Sequence, residues 1–286
     1  MSSDVFRLIR PFRQDTSVIF ASPHSGRDYS AEFLGQSLLD SHLIRTSEDA
    51  FVDQLFDSAP SKGAPMLAAR TPRAFIDLNR APDELDPAVI EGVARAPHNP
   101  RVSSGLGVIP RVVAGGRAIY RGKLSLAEAE FRISQHWHPY HRALRDLIDA
   151  THARFGESVL IDCHSMPHEA IESHARFGAS TPDIVLGDRF GAAAGREIVD
   201  RIEAAFANAG LRVARNAPFA GAFIAQSYGR PSRRQHVVQV EIDRALYLDE
   251  VRIVPNSGFS AFRKLLSGVI GEIADIGRVS RALAAE

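Results

Sequence analysis

The sequence predicts an α/β fold, a single domain on a central mixed, mostly parallel β-sheet flanked by helices. Three observations carry this prediction. Short apolar runs recur at 18–22, 158–163, 183–186, 211–214 and 236–242 and read as strands buried on both faces. Segments with helical spacing lie between them, and strands alternating with helices imply a sheet covered on both sides. At 286 residues, 45% hydrophobic and 24% charged, the chain has the composition and length to bury a large core. No repeat, low-complexity block or linker divides it, so 1–286 is read as one domain.

The elements follow in order. Strand 18–22 runs into the turn Pro23-His24-Ser25-Gly26. Residues 38–59 have helical spacing, with Leu43, Phe51, Val52, Leu55 and Phe56 as apolar positions. Segments 65–69 and 74–78 read as two short strands, the second ending at Asn79-Arg80. The stretch 81–116 is rich in Pro, Gly, Ser and Arg and has no periodicity; a loop this long in a compact domain is read as the wall of an active site. Residues 125–155 form an amphipathic helix, opened by a capping-box pattern at Ser125 and Glu128 and kinked or divided at Pro139. Strand 158–163 delivers His164. A helix over 189–209 stops at Gly210, a C-cap, and an irregular stretch 216–235 precedes strand 236–242. A helix over 260–284 closes the chain.

Charge excludes some functions. Lys+Arg and Asp+Glu both number 34, a balance that argues against a nucleic-acid binder, which would need a concentrated basic face. The single cysteine, Cys163, excludes an internal disulfide and fits a reducing compartment. No apolar run approaches the roughly 20 residues that span a bilayer, and 1–13 carries charges in place of a signal-peptide core. The expectation is a cytoplasmic protein without a membrane partner, a monomer or small homo-oligomer.

Two histidines stand where buried strands reach the carboxyl edge of the sheet, the edge at which open α/β folds bind ligands. His24 and His164, with a carboxylate from Glu48-Asp49, form a candidate metal set; catalytic zinc sites use three such ligands and keep one position open. Asp77-Leu78-Asn79-Arg80 places an amide beside a guanidinium that can grip a carboxylate in two parallel bonds; a surface pair of Arg80 with Asp83 or Glu84 is the simpler alternative. Glu241 shares one strand face with Val237 and Gln239. A carboxylate there is costly unless it is paired, with Arg230 or Arg244, or unless a raised pKa serves it as a general base. His136, His138 and His141 read as an exposed or aromatic-packed set, Pro167 makes a helix linking His164 to His168 doubtful, and Cys163 reads as an inert buried thiol.

In this order the pieces resemble the N-formylglutamate amidohydrolase family. The matching runs are Ser22-Pro23-His24-Ser25-Gly26, Glu48-Asp49-x-x-Val52-Asp53-x-Leu55-Phe56, Ile76-Asp77-Leu78-Asn79-Arg80-Ala81-Pro82, and Trp137-x-Pro139-Tyr140-His141. They continue with Asp162-Cys163-His164-Ser165, Phe219-Ala220-Gly221-Ala222-Phe223-Ile224, Tyr228-Gly229-Arg230-Pro231 and Gln239-Val240-Glu241. The resemblance implies a phosphorylase/hydrolase-like fold akin to zinc exopeptidases and aspartoacylases. It implies hydrolysis of a small N-acyl amino acid, N-formyl-L-glutamate to formate and glutamate, as in histidine degradation. It further implies one Zn²⁺, replaceable by another divalent metal, on His24, Asp49 and His164. Asp49 matches better than Glu48 because Val52-Asp53-x-Leu55 fixes the alignment. Asn79 and Arg80 match the carboxylate clamp, with Arg230 a second clamp for a dicarboxylate; Glu241 matches the base, and Asp162 is placed to orient a ligand imidazole. Phe219 stands where the family often carries a tyrosine. An aspartoacylase-like deacylase, an exopeptidase, or a catalytically silent binding protein of the same fold are the alternatives.

Overall fold

The structure, a computed structural model, describes residues 5–94, 99–172 and 181–278. Seven strands form the central sheet: β1 (Phe6–Ile9), β2 (Val18–Ser22), β3 (Met66–Ala69), β4 (Ser158–Met166), β5 (Ile184–Gly187), β6 (Val213–Arg215) and β7 (Gln235–Asp243). Their spatial order is β1-β3-β2-β4-β7-β5-β6. The central strands β3, β2, β4 and β7 are mutually parallel, so their carboxyl ends share one edge. β1 runs antiparallel on β3, and β5 antiparallel on β7 with β6 parallel to it. The sheet is the mixed, mostly parallel one expected.

Alternation along the strands explains the two cores. Val18, Phe20, Val159, Ile161, Cys163, Val238 and Val240 face one layer. There α2 (Arg196–Asn208) and α3 (Phe259–Ile276) lay down Val199, Ile202, Phe206, Leu266, Ile270 and Ile273 at helical spacing. Ile19, Ala21, Leu160 and Val237 face the other layer, covered by α1 (His138–Phe155) through Tyr140, Leu144, Leu147 and Ile148. Each large apolar side chain buried this way contributes roughly 1.5–3 kcal/mol.

Several elements differ from the sequence expectation. The span 38–59 is not one helix but a 3₁₀ turn Leu43–Arg45, a short helix Val52–Leu55 and a 3₁₀ turn at Ala59–Lys62. Phe51, at φ 64°, breaks the helical path there. The expected strand at 74–78 is a series of turns. β1 adds an edge strand where only a charged terminus was read. The helix of 125–155 is divided as Pro139 predicts: Leu126–Arg132, a π-helical turn Ile133–Trp137, then α1, because proline supplies no N–H to the preceding turn. The capping box is half formed; Ser125 accepts from the Glu128 N–H at 3.1 Å, while the Glu128 carboxylate goes forward to Arg132. α2 starts only at Arg196, and a short helix Phe223–Tyr228 interrupts the stretch read as irregular. α3 ends at Ile276; the rest of the helix expected to 284 lies largely outside the described residues. No helix among them is long and apolar enough to cross a membrane.

Candidate active site

Where the second core layer ends, the same sheet face turns polar. β4 and β7 pair in register, Asp162 beside Gln239 and His164 beside Glu241, and neighbours in a parallel pair point the same way. Four polar side chains therefore continue the row begun by Leu160 and Val237. His24 joins them from the turn after β2, a turn pressed so closely on its neighbour that a Cβ on Gly26 would lie 2.1 Å from the Thr71 carbonyl oxygen. Asp49 arrives from the broken helical span, its N–H donating to the His24 carbonyl at 3.1 Å.

His24, Asp49 and His164 are all buried, and a ligand atom from each lies within 4.8 Å of the others. Both Nδ1 atoms face the Asp49 carboxylate, at 3.4 Å for His24 and 2.9 Å for His164. Both Nε2 atoms turn away to a second carboxylate, His24 to Asp77 at 2.7 Å and His164 to Asp162 at 3.1 Å. Carboxylates on Nε2 are the partners that would hold an Nε2 proton and free Nδ1 for a cation, in place of the bond that His164 Nδ1 makes to Asp49. The fit to a cation rests on one atom: His24 Nδ1 is buried without a hydrogen-bond partner, in a set whose donors are two imidazole nitrogens and a carboxylate oxygen.

Charge supports that fit. Burial alone would raise the Asp49 pKa, but the bond from His164 and the nearby His24 ring hold it well below the usual carboxylate range. Burial alone would likewise raise Asp77, which His24 and Arg73 hold well down. Burial opposes protonation of His164, yet Asp162 and Asp49 pull its pKa well above the ordinary imidazole value. The ground between these three side chains is thus rich in negative charge and attracts a cation.

The structure separates the two adjacent acids. Glu48 is gripped by Arg45 in two bonds, 2.9 and 3.1 Å, while Asp49 Oδ1 accepts from Arg244 at 3.1 Å and leaves Oδ2 to the histidines. Glu241 has no ion pair with Arg230, Arg244 or any other described residue; it accepts from the Gln239 amide at 2.8 Å. Burial pushes its pKa up to about 7, against the pull of His164.

These groups open on a cleft of about 600 Å³. Arg80 lines it, donating to the carbonyls of Leu106 and Asn79 at 3.0 and 3.1 Å and to no carboxylate among the described residues. Neither Asp83 nor Glu84 pairs with it. Asn79 also lines the cleft; its amide donates to Asp162 at 3.4 Å, lies 3.2 Å from His164 Nε2, and accepts from the Ile224 N–H at 2.8 Å. Arg230 is not at the site. It pairs with Gln235 at the amino end of β7, about 20 Å along the strand from Glu241, and bonds to the carbonyls of Gln226 and Gly229.

The sequence reading missed Arg73, Gln239 and Arg244 as cleft residues and used Asp77 only as part of a motif. Arg73 pairs with Asp77 at 3.1 Å and reaches 3.9 Å from Asp49. Arg244 directly follows β7, so the edge rule that singled out His164 applied to it as well. Of the set His136, His138 and His141, read as exposed or aromatic-packed, His141 is the buried one. His141 stacks on Trp137 with centroids 3.8 Å apart and bonds to Tyr228 and the Leu78 carbonyl, and burial pushes its pKa down to about 3. His168 pairs with Asp243 at 2.8 Å. Cys163 is fully buried, which pushes its thiol pKa well up.

Comparison with known proteins gives the chain a family. Residues 16–248 match the profile of the N-formylglutamate amidohydrolase family. The N-formylglutamate deformylase of Pseudomonas aeruginosa is 31% identical over 239 residues, 82% of each chain. That of Pseudomonas putida is 29% identical over 238 residues, again 82% of each. The crystal structure of N-formylglutamate amidohydrolase from Ralstonia eutropha superposes with a TM-score of 0.89 at 34% identity, covering 96% of this chain and 99% of that one. An Agrobacterium tumefaciens protein shares the fold at TM-score 0.60 and 15% identity, covering 95% of each chain. The chain belongs to the N-formylglutamate amidohydrolase family.

Proposed function

We propose that this chain is a metal-dependent amidohydrolase that cleaves N-formyl-L-glutamate to formate and glutamate. The observation that carries the reading is the buried convergence of His24 Nδ1, His164 Nδ1 and Asp49 Oδ2, with Glu241 on the adjacent strand. His24, Asp49 and His164 would hold one divalent ion, Zn²⁺ first among candidates because two imidazoles and a carboxylate suit it. When bound, that ion supplies Lewis-acid chemistry, polarising the carbonyl and acidifying water.

The chain's own groups do the rest. Arg80 binds the substrate α-carboxylate and orients the amide. Glu241, with a pKa near neutrality, takes one proton of the attacking water and returns it to the departing amine as the C–N bond breaks, so the amine leaves neutral beside formic acid, which ionises to formate as the free amine takes up that second proton. Arg73, 3.9 Å from Asp49 Oδ1 and paired with Asp77, stabilises negative charge on the carbonyl oxygen. Gln239 holds Glu241 and Asp162 holds His164. The reduced, buried Cys163 fits work in the cytoplasm.

The test is formate release from N-formyl-L-glutamate, with N-acetyl-aspartate and short peptides as competitors of other classes, with and without added Zn²⁺. Turnover of the formyl substrate that a chelator abolishes and Zn²⁺ restores is expected. Turnover of acetyl-aspartate or peptides in its place points to the deacylase or exopeptidase alternatives. Zinc-loaded protein inert on all three points to a binding protein.

A further inference from the structure

The cleft holds more positive charge than its own acids neutralise. Of the guanidiniums lining it, Arg73 is matched by Asp77 at 3.1 Å and Arg244 by Asp49 at 3.1 Å. Arg80 spends Nε and Nη1 on carbonyls, and Nη2 has no hydrogen-bond partner among the described residues. The exposed Arg101 side chain has no partner among them either. Glu84, four residues on from Arg80, is committed to the Ala81 N–H at 2.9 Å and the Asn99 amide at 3.2 Å. Burial, and with it the charge of Arg101, holds the Arg80 guanidinium below its usual pKa range against the pull of Asp77. Two like charges left facing one cleft are unfavourable in the empty protein and favourable only towards an anion.

Their relative position is fixed by the fold. Arg80 Nε holds the Leu106 carbonyl at 3.0 Å, and the Leu106 N–H in turn donates to the Arg101 carbonyl at 2.8 Å. Asn99 caps the short helix Pro100–Ser103, accepting from the Arg101 N–H at 3.0 Å. Gly107 lets the loop close on the Arg80 segment, since a Cβ there would lie 2.5 Å from the Glu84 carbonyl oxygen. One guanidinium is thus buried beside Asn79 and the metal set. The other stands further out on the loop.

We propose that Arg101 binds the side-chain carboxylate of the substrate while Arg80 binds the α-carboxylate, so the cleft selects N-formyl amino acids with a second, acidic group. Arg101 thereby takes the place that the sequence assigned to Arg230. The inference rests on the deformylase reading and adds the residue that sets substrate class. Arg101 touches no reacting atom, so it sets binding and leaves the chemical step alone.

The experiment compares kcat/KM for N-formyl-L-glutamate and its neutral isostere N-formyl-L-glutamine, using zinc-loaded full-length wild type, Arg101→Gln and Arg101→Lys. Wild type is expected to prefer the diacid by on the order of 10- to 100-fold, the range of a charge-assisted bond. Arg101→Gln is expected to lose that preference through KM, with kcat and the formylglutamine rate within about 2-fold of wild type, as for a surface change. Arg101→Lys is expected to recover part of it. An unchanged substrate ratio in Arg101→Gln, or equal loss on both substrates, overturns the assignment while leaving the deformylase reading standing. A wild type inert on both substrates overturns that reading and this inference with it.

Discussion

Replacing Glu241 with glutamine tests the proposed base and its environment together. The substitution keeps shape and keeps an oxygen that accepts from the Gln239 amide, now at 2.8 Å. It removes only the capacity to carry a proton. Loss of a general acid–base group costs roughly 10²- to 10⁴-fold, so kcat in the formate-release assay should fall within that range, with zinc content unchanged. Stability should move the other way, in a pH-dependent manner. Burial raises the Glu241 pKa from 4.5 to about 7 in the folded chain, a difference worth about 3 kcal/mol. A raised carboxyl pKa favours folding below about 4.5, and that contribution is lost as pH rises through about 7. In chelator-treated protein, Glu241→Gln should therefore match wild type near pH 4 and exceed it at pH 8, by up to about 3 kcal/mol or several degrees in melting temperature. A kcat within about 10-fold of wild type refutes the base. A melting difference that does not change with pH refutes the buried, charge-averse environment.

Other perturbations follow from the same geometry. Gly26→Ala drives a Cβ to 2.1 Å from the Thr71 carbonyl; the overpacking should cost roughly 1–3 kcal/mol by denaturant unfolding and displace His24, lowering zinc stoichiometry below one. Arg244→Met leaves Asp49 Oδ1 and the Glu48 carbonyl without the donor they share; a drop of roughly 3–5 kcal/mol in stability and about 10- to 100-fold in zinc affinity should appear in unfolding and chelator competition. Asp77→Asn removes a carboxylate whose pKa His24 and Arg73 hold well below 3.8. The native contribution of Asp77 is present above the ordinary carboxylate pKa and lost as pH falls through the depressed one, so the variant should show a shallower acid-unfolding limb in a pH titration of stability.

Much of this site was legible because strand chemistry is local. A run such as Val159-Leu160-Ile161 fits a strand buried on both faces, and alternation then says which face Asp162 and His164 share. The same period of two placed Glu241 with Gln239. What was not legible depends on contacts between distant segments. The span 38–59 has helical spacing, yet it breaks at Phe51, with Asp49 tied to the His24 backbone, and nothing local announces that bond. Arg230 and Arg80 looked equivalent as arginines beside turns; only sheet direction reveals that one sits at the wrong end of its strand. Asn79 reads as half of a clamp in the sequence, and the bonds of its amide to Asp162 and the Ile224 N–H come from segments far away in the chain. Asp49 and Glu48 separated only when Arg45 and Arg244 each took one of them.

The central claim is that His24, Asp49 and His164 hold a single catalytic divalent ion through the two inward-facing Nδ1 atoms. Anomalous diffraction at the zinc edge, on crystals of protein loaded with one equivalent of Zn²⁺ and back-soaked to remove weakly bound metal, tests it most directly. The account predicts one strong peak between the three side chains, at roughly 2.0–2.2 Å from each ligand atom, with Nε2 of both histidines still on Asp77 and Asp162. A peak elsewhere, ligation through Nε2, or no retained zinc in well-folded protein would contradict it.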